Sequence, residues 1–141
     1  MTNMTKEFWI NLPVKNIKKS KDFFTKIGFS FNPVPGNDNH SACLVVGSKN
    51  VVVMLFEEPA FKTFTSMKIT DTKQNTEVLF SIDAENREEV NDFATKVKKA
   101  GGTIYTEPGE KDGWMYGCGF SDLDGHRWSV LHMDMTKMQK G

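Results

Sequence analysis

Cysteine is nearly absent from this 141-residue chain, which carries only Cys43 and Cys118. Two cysteines cannot build the disulfide framework of a small secreted domain, and neither belongs to a Cys-x-x-Cys pair. No charge sign dominates either: 18 Lys and Arg balance 18 Asp and Glu. A nucleic-acid or anionic-membrane footprint needs a basic patch. The densest basic group, Lys15, Lys18, Lys19 and Lys21, falls on the outer face of an expected helix. No apolar run approaches the ~18 residues of a membrane-spanning helix. The N-terminus shows no basic segment leading into an apolar stretch, so no secretory leader is expected. These absences point to a cytoplasmic protein with reduced thiols and with no nucleic-acid or membrane partner. At this length one domain is expected, burying about two thirds of its unfolded surface.

What the chain does have is an internal repeat. Asn16 opens a helical pattern of Ser20, Phe23, Phe24 and Ile27, closed by Gly28. Asn86 opens Val90, Phe93, Ala94 and Val97 at the same spacing, closed by Gly101 and Gly102. Pro33 recurs as Pro108, Cys43 as Cys118, and the apolar strand Val51 to Phe56 as His126 to Leu131. A repeat of this kind fixes architecture before any single element does.

Each copy reads strand, helix, strand, strand, strand. In the first, Glu7 to Val14 alternates Phe8, Ile10, Leu12 and Val14 against Trp9, Asn11 and Pro13, the period of a half-buried strand. A helix capped by Asn16 follows, then a strand near Phe29 to Asn32 and the turn cluster Pro33-Val34-Pro35-Gly36. Ser41 to Val46 and Val51 to Phe56 form a hairpin. In the second copy, Glu77 to Ile82 is the first strand, and Asn86 with Glu89 forms a capping box. Thr103 to Thr106, Trp114 to Phe120 and His126 to Met133 are the remaining strands, with a polar tail from Asp134. The modules span about residues 6–57 and 76–134, joined by a draped linker, 58–75, with one short helical turn. The expected fold is α+β: two tandem βαβββ modules whose mixed sheets curve into a cup with the helices outside.

This layout resembles the vicinal-oxygen-chelate superfamily, which includes glyoxalase I, bleomycin and fosfomycin resistance proteins and extradiol dioxygenases. The resemblance rests on Leu12-Pro13-Val14-Lys15-Asn16, Ser20, Phe23-Phe24 and Ile27-Gly28-Phe29, and on the closing Phe120-Ser121-Asp122-Leu123-Asp124-Gly125-His126-Arg127-Trp128. It covers Phe8 to Met133. For Asp124-Gly125 the residues themselves predict a hairpin turn.

Metal-dependent members hold a divalent ion on the first and last strands of each module. By resemblance those positions fall on Trp9, Met54, Glu77 and Ser129, and the repeat pairs Trp9 with Glu77 and Met54 with Ser129. Only Glu77 is a competent ligand for a first-row divalent metal: indole offers no lone pair, a thioether is soft and a neutral hydroxyl is weak. His40, His126 and His132 are expected in turn and packing roles. No metal or other cofactor is therefore expected.

The same positions describe a ligand pocket, mostly apolar with a few converging polar groups. Trp9, Met54, Phe56 and Leu79 would form its walls, and Asn11, Glu77, Ser81 and Ser129 its polar points. Trp114 and Tyr116, preceded by Pro108 to Gly113, would add a mobile aromatic wall. Such a set suits a planar ligand, cations included; alternatively the side chains fill the cup as core. Three functions follow. The first is metal-independent binding of a small planar or amphipathic organic molecule. The second is a lyase, isomerase or dioxygenase with Glu77 as catalytic base and a non-standard metal or none, which requires a carboxyl pKa raised by burial. The third is a closed-pocket interaction protein. The resemblance also implies a homodimer.

Overall fold

The computed structural model describes residues 4–33 and 39–137. The expected turn residues Val34, Pro35 and Gly36 lie outside the described residues, as does the tail beyond Lys137. The chain forms two compact units, Met1–Thr70 and Asp71–Gly141.

The first unit runs β1 (Ile10–Val14), α1 (Ile17–Lys26), β2 (Ser30–Asn32), β3 (Ser41–Val46), β4 (Val51–Glu57) and α2 (Glu58–Thr65). Its sheet has the order β1-β4-β3-β2, with β1 parallel to β4 and the other pairs antiparallel. Asn16 Oδ1 accepts the Lys19 N–H at 2.9 Å and starts α1. Gly28 takes a left-handed φ of 105° just past the helix, where glycine costs least. One face of α1 buries Ile17, Phe23 and Phe24, joined by Ile27 at its end, against Leu12, Val14, Leu44, Val53 and Leu55 of the sheet. Each such side chain contributes about 1.5–3 kcal/mol on burial.

The second unit repeats the design with β5 (Leu79–Asp83), α3 (Arg87–Ala100), β6 (Thr103–Lys111), β7 (Met115–Ser121) and β8 (Arg127–Met133), in the order β5-β8-β7-β6. Asn86 Oδ1 caps the Glu89 N–H at 2.8 Å, and Glu89 reaches back to the Glu85 N–H at 3.0 Å. Val90, Ala94 and Val97 of α3 close over Phe120, Trp128 and Val130. The α+β class and both βαβββ modules are thus as the sequence predicts. Each sheet is open, with one face covered by its helix. No helix among the described residues is long and apolar enough to cross a membrane.

Three local expectations are corrected. Both first strands start later than alternation suggested: the ladder of β1 begins at Ile10 opposite Val53, and that of β5 at Leu79 opposite Arg127, where β8 itself begins. The segment Glu58–Thr65 is a full helix rather than a single turn. Pro108 to Lys111 is strand, not loop: β6 is the edge of its sheet, where a proline without an N–H is tolerated. The turn is confined to Asp112, Gly113 and Trp114 between the paired Lys111 and Met115, with positive φ of 56° and 76° at Asp112 and Gly113.

Candidate functional site

Strand alternation leaves one face of each sheet away from its helix, and the side chains there are the candidates for function. In the first unit, the ladder register aligns Asn32, Cys43, Met54 and Asn11 across all four strands. Trp9 precedes β1 and is 54% exposed. Its indole N–H donates to Asn11 Oδ1 at 3.2 Å, so the two act as one aromatic-amide group. Phe56 takes the edge of Phe64 at 5.0 Å between ring centroids, which leans α2 on the end of β4. Trp9, Asn11, Met54 and Phe56 therefore share this open face, as the alternation predicts.

In the second unit, Ser81, Ser129 and Gly119 form one rung, and Leu79, Arg127 and Ser121 the next. A register shift between Ile104 and Thr106 makes Tyr105 the extra residue of a bulge, which re-aims its side chain. Its ring stands 2.5 Å from where a Cβ on Gly119 would lie, so it covers Gly119 on the open face. The Tyr105 hydroxyl donates to the Trp128 carbonyl at 3.2 Å, and the Arg127 guanidinium lies 4.3 Å over the ring centroid. Burial pushes the phenol pKa up, opposed by the Arg127 charge, so the group remains a neutral donor.

Glu77 lies outside the strand ladder, and Tyr116 is on the helix side of the sheet. Glu77 lies two residues ahead of β5 and is exposed, so the burial its role as a base required is missing. Tyr116 has the parity of Cys118 and Phe120. Its hydroxyl donates to Asn91 Oδ1 of α3 at 2.7 Å, and Arg87 sits over its ring at 4.9 Å. Trp114 falls in the turn before β7, where its carbonyl accepts the Asp134 N–H at 2.7 Å.

The register also corrects the repeat. Met54 pairs with Asn11 and Ser129 pairs with Ser81. The counterpart of Trp9 is accordingly Leu79, not Glu77, in step with the caps Asn16 and Asn86. A slip of two residues keeps every side chain on its face, so alternation could not detect it. Likewise Cys43, opposite Met54, matches Gly119, opposite Ser129, and not Cys118. Cys43 is on the open face, whereas Cys118 faces the helix and its thiol is pushed up to about 11, chiefly by burial.

Behind the second open face, the turn before β8 is tied by one carboxylate. Asp122 accepts N–H donors from Asp124 and His126 at 3.0 Å each and from the Trp128 indole at 3.1 Å. Thr72 donates to the Asp124 carbonyl at 2.6 Å, and Gly125 leaves room for Thr72. Asp124-Gly125 is thus a turn, as predicted. The histidines hold structure too. His132 Nδ1 lies 3.1 Å from the Ala84 carbonyl, His40 Nδ1 lies 2.7 Å from Glu57 Oε1, and the His126 backbone N–H joins the turn. Among the described residues no three His, Cys, Asp or Glu side chains group as a metal site.

The sequence reading missed Arg127 and Tyr105 on the open face. Arg127 was legible in principle, two residues from Ser129 and of the same parity. Tyr105 was not, because its orientation comes from the bulge.

The sequence profile of the glyoxalase/bleomycin resistance protein/dioxygenase superfamily matches residues 8–130. Among solved structures, a hypothetical protein from S. aureus is 32% identical, with a TM-score of 0.82 over 92% of this chain and 95% of that one. A glyoxalase-related enzyme from Fulvimarina pelagi, 13% identical, gives 0.75 over 92% and 88%. A fosfomycin resistance protein from Listeria monocytogenes, 15% identical, gives 0.67 over 96% and 98%. The last two likenesses show the fold alone. No curated protein matches the chain.

Proposed function

The chain belongs to the glyoxalase/bleomycin resistance protein/dioxygenase superfamily, and from that premise we propose that it binds a small planar or amphipathic organic molecule on its open sheet faces without a resident metal. The observation that carries the reading is the composition of those faces. Trp9, Met54 and Phe56 on one unit, and Leu79 and Tyr105 on the other, are apolar or aromatic. Asn11, Ser81 and Ser129 add sparse polar points. This is the character of a surface built for small organic ligands. A sheet face meant only for solvent would carry charged side chains in place of indole, thioether and benzyl groups.

Metal independence is supported by donor chemistry. The positions where relatives would hold an ion carry Trp9, Met54 and Ser129, and the register puts Leu79 where the repeat had suggested Glu77. Indole, thioether, hydroxyl and an aliphatic chain do not fit a divalent first-row ion. A fosfomycin resistance protein of this fold has been solved with Mn(II) and sulfate, so the fold itself accommodates metal and the difference lies in these side chains. The protein is proposed to act as a cytoplasmic homodimer.

Native mass spectrometry with elemental analysis of protein purified without chelator tests the reading. The expected result is a dimer free of stoichiometric Mn, Fe, Ni or Zn, accompanied by an organic adduct or accepting one on titration. One equivalent of such a metal per chain, removed by Ser129→Ala or Met54→Ala, would sink it.

A further inference from the structure

The open face of the second unit holds a cation that no acidic group among the described residues meets in an ion pair. Arg127 stands in β8 between Leu79 and Ser121. Its guanidinium is held over the Tyr105 ring at 4.3 Å from the centroid. Every ion pair among the described residues joins other groups: Lys26 with Asp22, His40 with Glu57, Arg87 with Glu110, Lys98 with Glu107 and Lys137 with Asp134. Two carboxylates occupy the neighbourhood without reaching it. Asp83 pairs with Leu131, four residues along from the Leu79–Arg127 rung, or about 13 Å at 3.3 Å per residue. Glu77 is exposed ahead of the strand, and neither lies within the 4.0 Å of an ion pair.

The contact of Arg127 with Tyr105, stacking joined by a side-chain hydrogen bond, orients the guanidinium and leaves others of its five N–H donors unassigned. Three hydroxyls share its face. Ser121 is beside it in register, Ser129 is two residues along the same strand, and Ser81 is beside Ser129. No side chain or carbonyl among the described residues engages these hydroxyls. An oriented guanidinium, neutral hydroxyl donors and an adjacent apolar surface at Leu79 form a complement to an oxyanion on a planar body. A guanidinium binds such a group through paired N–H donors.

We propose that Arg127 is an oxyanion-binding residue, and that the ligand carries a carboxylate, sulfonate or phosphonate which docks on its guanidinium with Ser81, Ser121 and Ser129 around it. This rests on the small-molecule reading above and fixes the sign of the ligand. The sequence alone left room for a cation, on the strength of Glu77 and Tyr116. Tyr116 now lies on the helix side of the sheet, and Glu77 is exposed ahead of β5 with no ion pair to Arg127.

Two fluorescent probes of similar shape separate the possibilities: anilinonaphthalene sulfonate, which is anionic, and neutral N-phenylnaphthylamine. The wild type is expected to bind both, the sulfonate more tightly and with an affinity that falls as NaCl is raised. Arg127→Gln should weaken the sulfonate about tenfold, the scale of one lost charge-assisted hydrogen bond, and leave the neutral probe unchanged. Arg127→Lys should recover part of the loss. An unchanged sulfonate affinity in Arg127→Gln, or an equal loss for both probes, overturns the assignment to Arg127 alone. Failure of the wild type to bind either probe overturns the small-molecule reading itself. If Arg127→Gln does not fold by circular dichroism, Ser129→Asp decides, since a carboxylate beside the guanidinium should abolish sulfonate binding selectively.

Discussion

Gly119 lacks a side chain because the Tyr105 ring occupies the space where one would go, 2.5 Å from the ideal Cβ position. That contact is closer than real Cβ atoms tolerate, and the ring is held by its bond to the Trp128 carbonyl and by Arg127. Gly119→Ala should therefore push Tyr105 outward and cost about 1–3 kcal/mol, the range for overpacking. Gly109→Ala, whose nearest neighbour is 3.8 Å away, is the control and should change the urea midpoint little. The two thiols offer a second residue-scale contrast. Cys43 is half-buried on the open face, and Cys118 is buried beneath α3. Burial first, and the charge of Glu107 second, raise the Cys118 thiol to about 11 from an ordinary 9.0. An aromatic disulfide reagent should titrate Cys43 in the native protein at pH 8 and reach Cys118 only on unfolding. The sign of the linkage follows from the raised value. Between pH 9 and 11 the unfolded chain releases a proton that the fold retains, so stability falls across that window. A native Cys118 that reacts as fast as Cys43 would contradict its burial.

At the scale of elements, the turn joining β7 to β8 depends on Asp122. Burial pushes this carboxyl pKa up, while the His126 charge and the N–H donors from Trp128, Asp124 and His126 pull the other way. Asp122→Ala orphans the buried Trp128 indole N–H together with the part-buried N–H groups of Asp124 and His126, and a buried donor left unpaired costs about 1–3 kcal/mol. A loss of about 3 kcal/mol or more in thermal or urea unfolding is the expectation. Asp122→Asn should lose less, because one oxygen can still serve Asp124 and His126. A negligible effect of the alanine would mean that the turn is held elsewhere, with Thr72 on the Asp124 carbonyl the next support to remove. These elements were unequally legible in the sequence. The helices were readable to their caps, since Asn16, Asn86, Gly28 and Gly101 act locally on their own backbone. Strand faces were readable because alternation is local as well. Strand register was not, because a two-residue slip conserves every face and only the partner strand decides it. That is why Glu77 was matched to Trp9 when Leu79 holds the place. The bulge that turns Tyr105 onto the face is likewise a property of the β6–β7 pair and not of either strand.

At the scale of the molecule, the same topology is used twice with different cores. The first unit closes on Phe23, Phe24, Ile27, Leu44 and Leu55, and the second on Trp128, Phe120, Val90 and Val97. Trp128 stacks parallel to Phe120 at 6.0 Å, and no tryptophan is buried in the first core. Two cores with separate membership imply that damage to one is felt first by its own unit. Phe24 is buried between Phe23 at 5.1 Å and Phe29 at 5.9 Å, a site with little room to collapse. Phe24→Ala should cost about 3–5 kcal/mol. Amide hydrogen exchange locates the loss: protection is expected to fall in α1 and β1 to β4 while α3 and β5 to β8 keep theirs. If protection fell equally throughout, the two units would have to unfold as one cooperative body, and the separate cores would be a feature of packing without thermodynamic independence. The localised outcome has a functional corollary. A ligand that stabilises only the second unit, as an oxyanion on Arg127 should, would raise protection in β5 and β8 of the Phe24→Ala variant without restoring α1, whereas a ligand engaging both open faces would raise protection in both units.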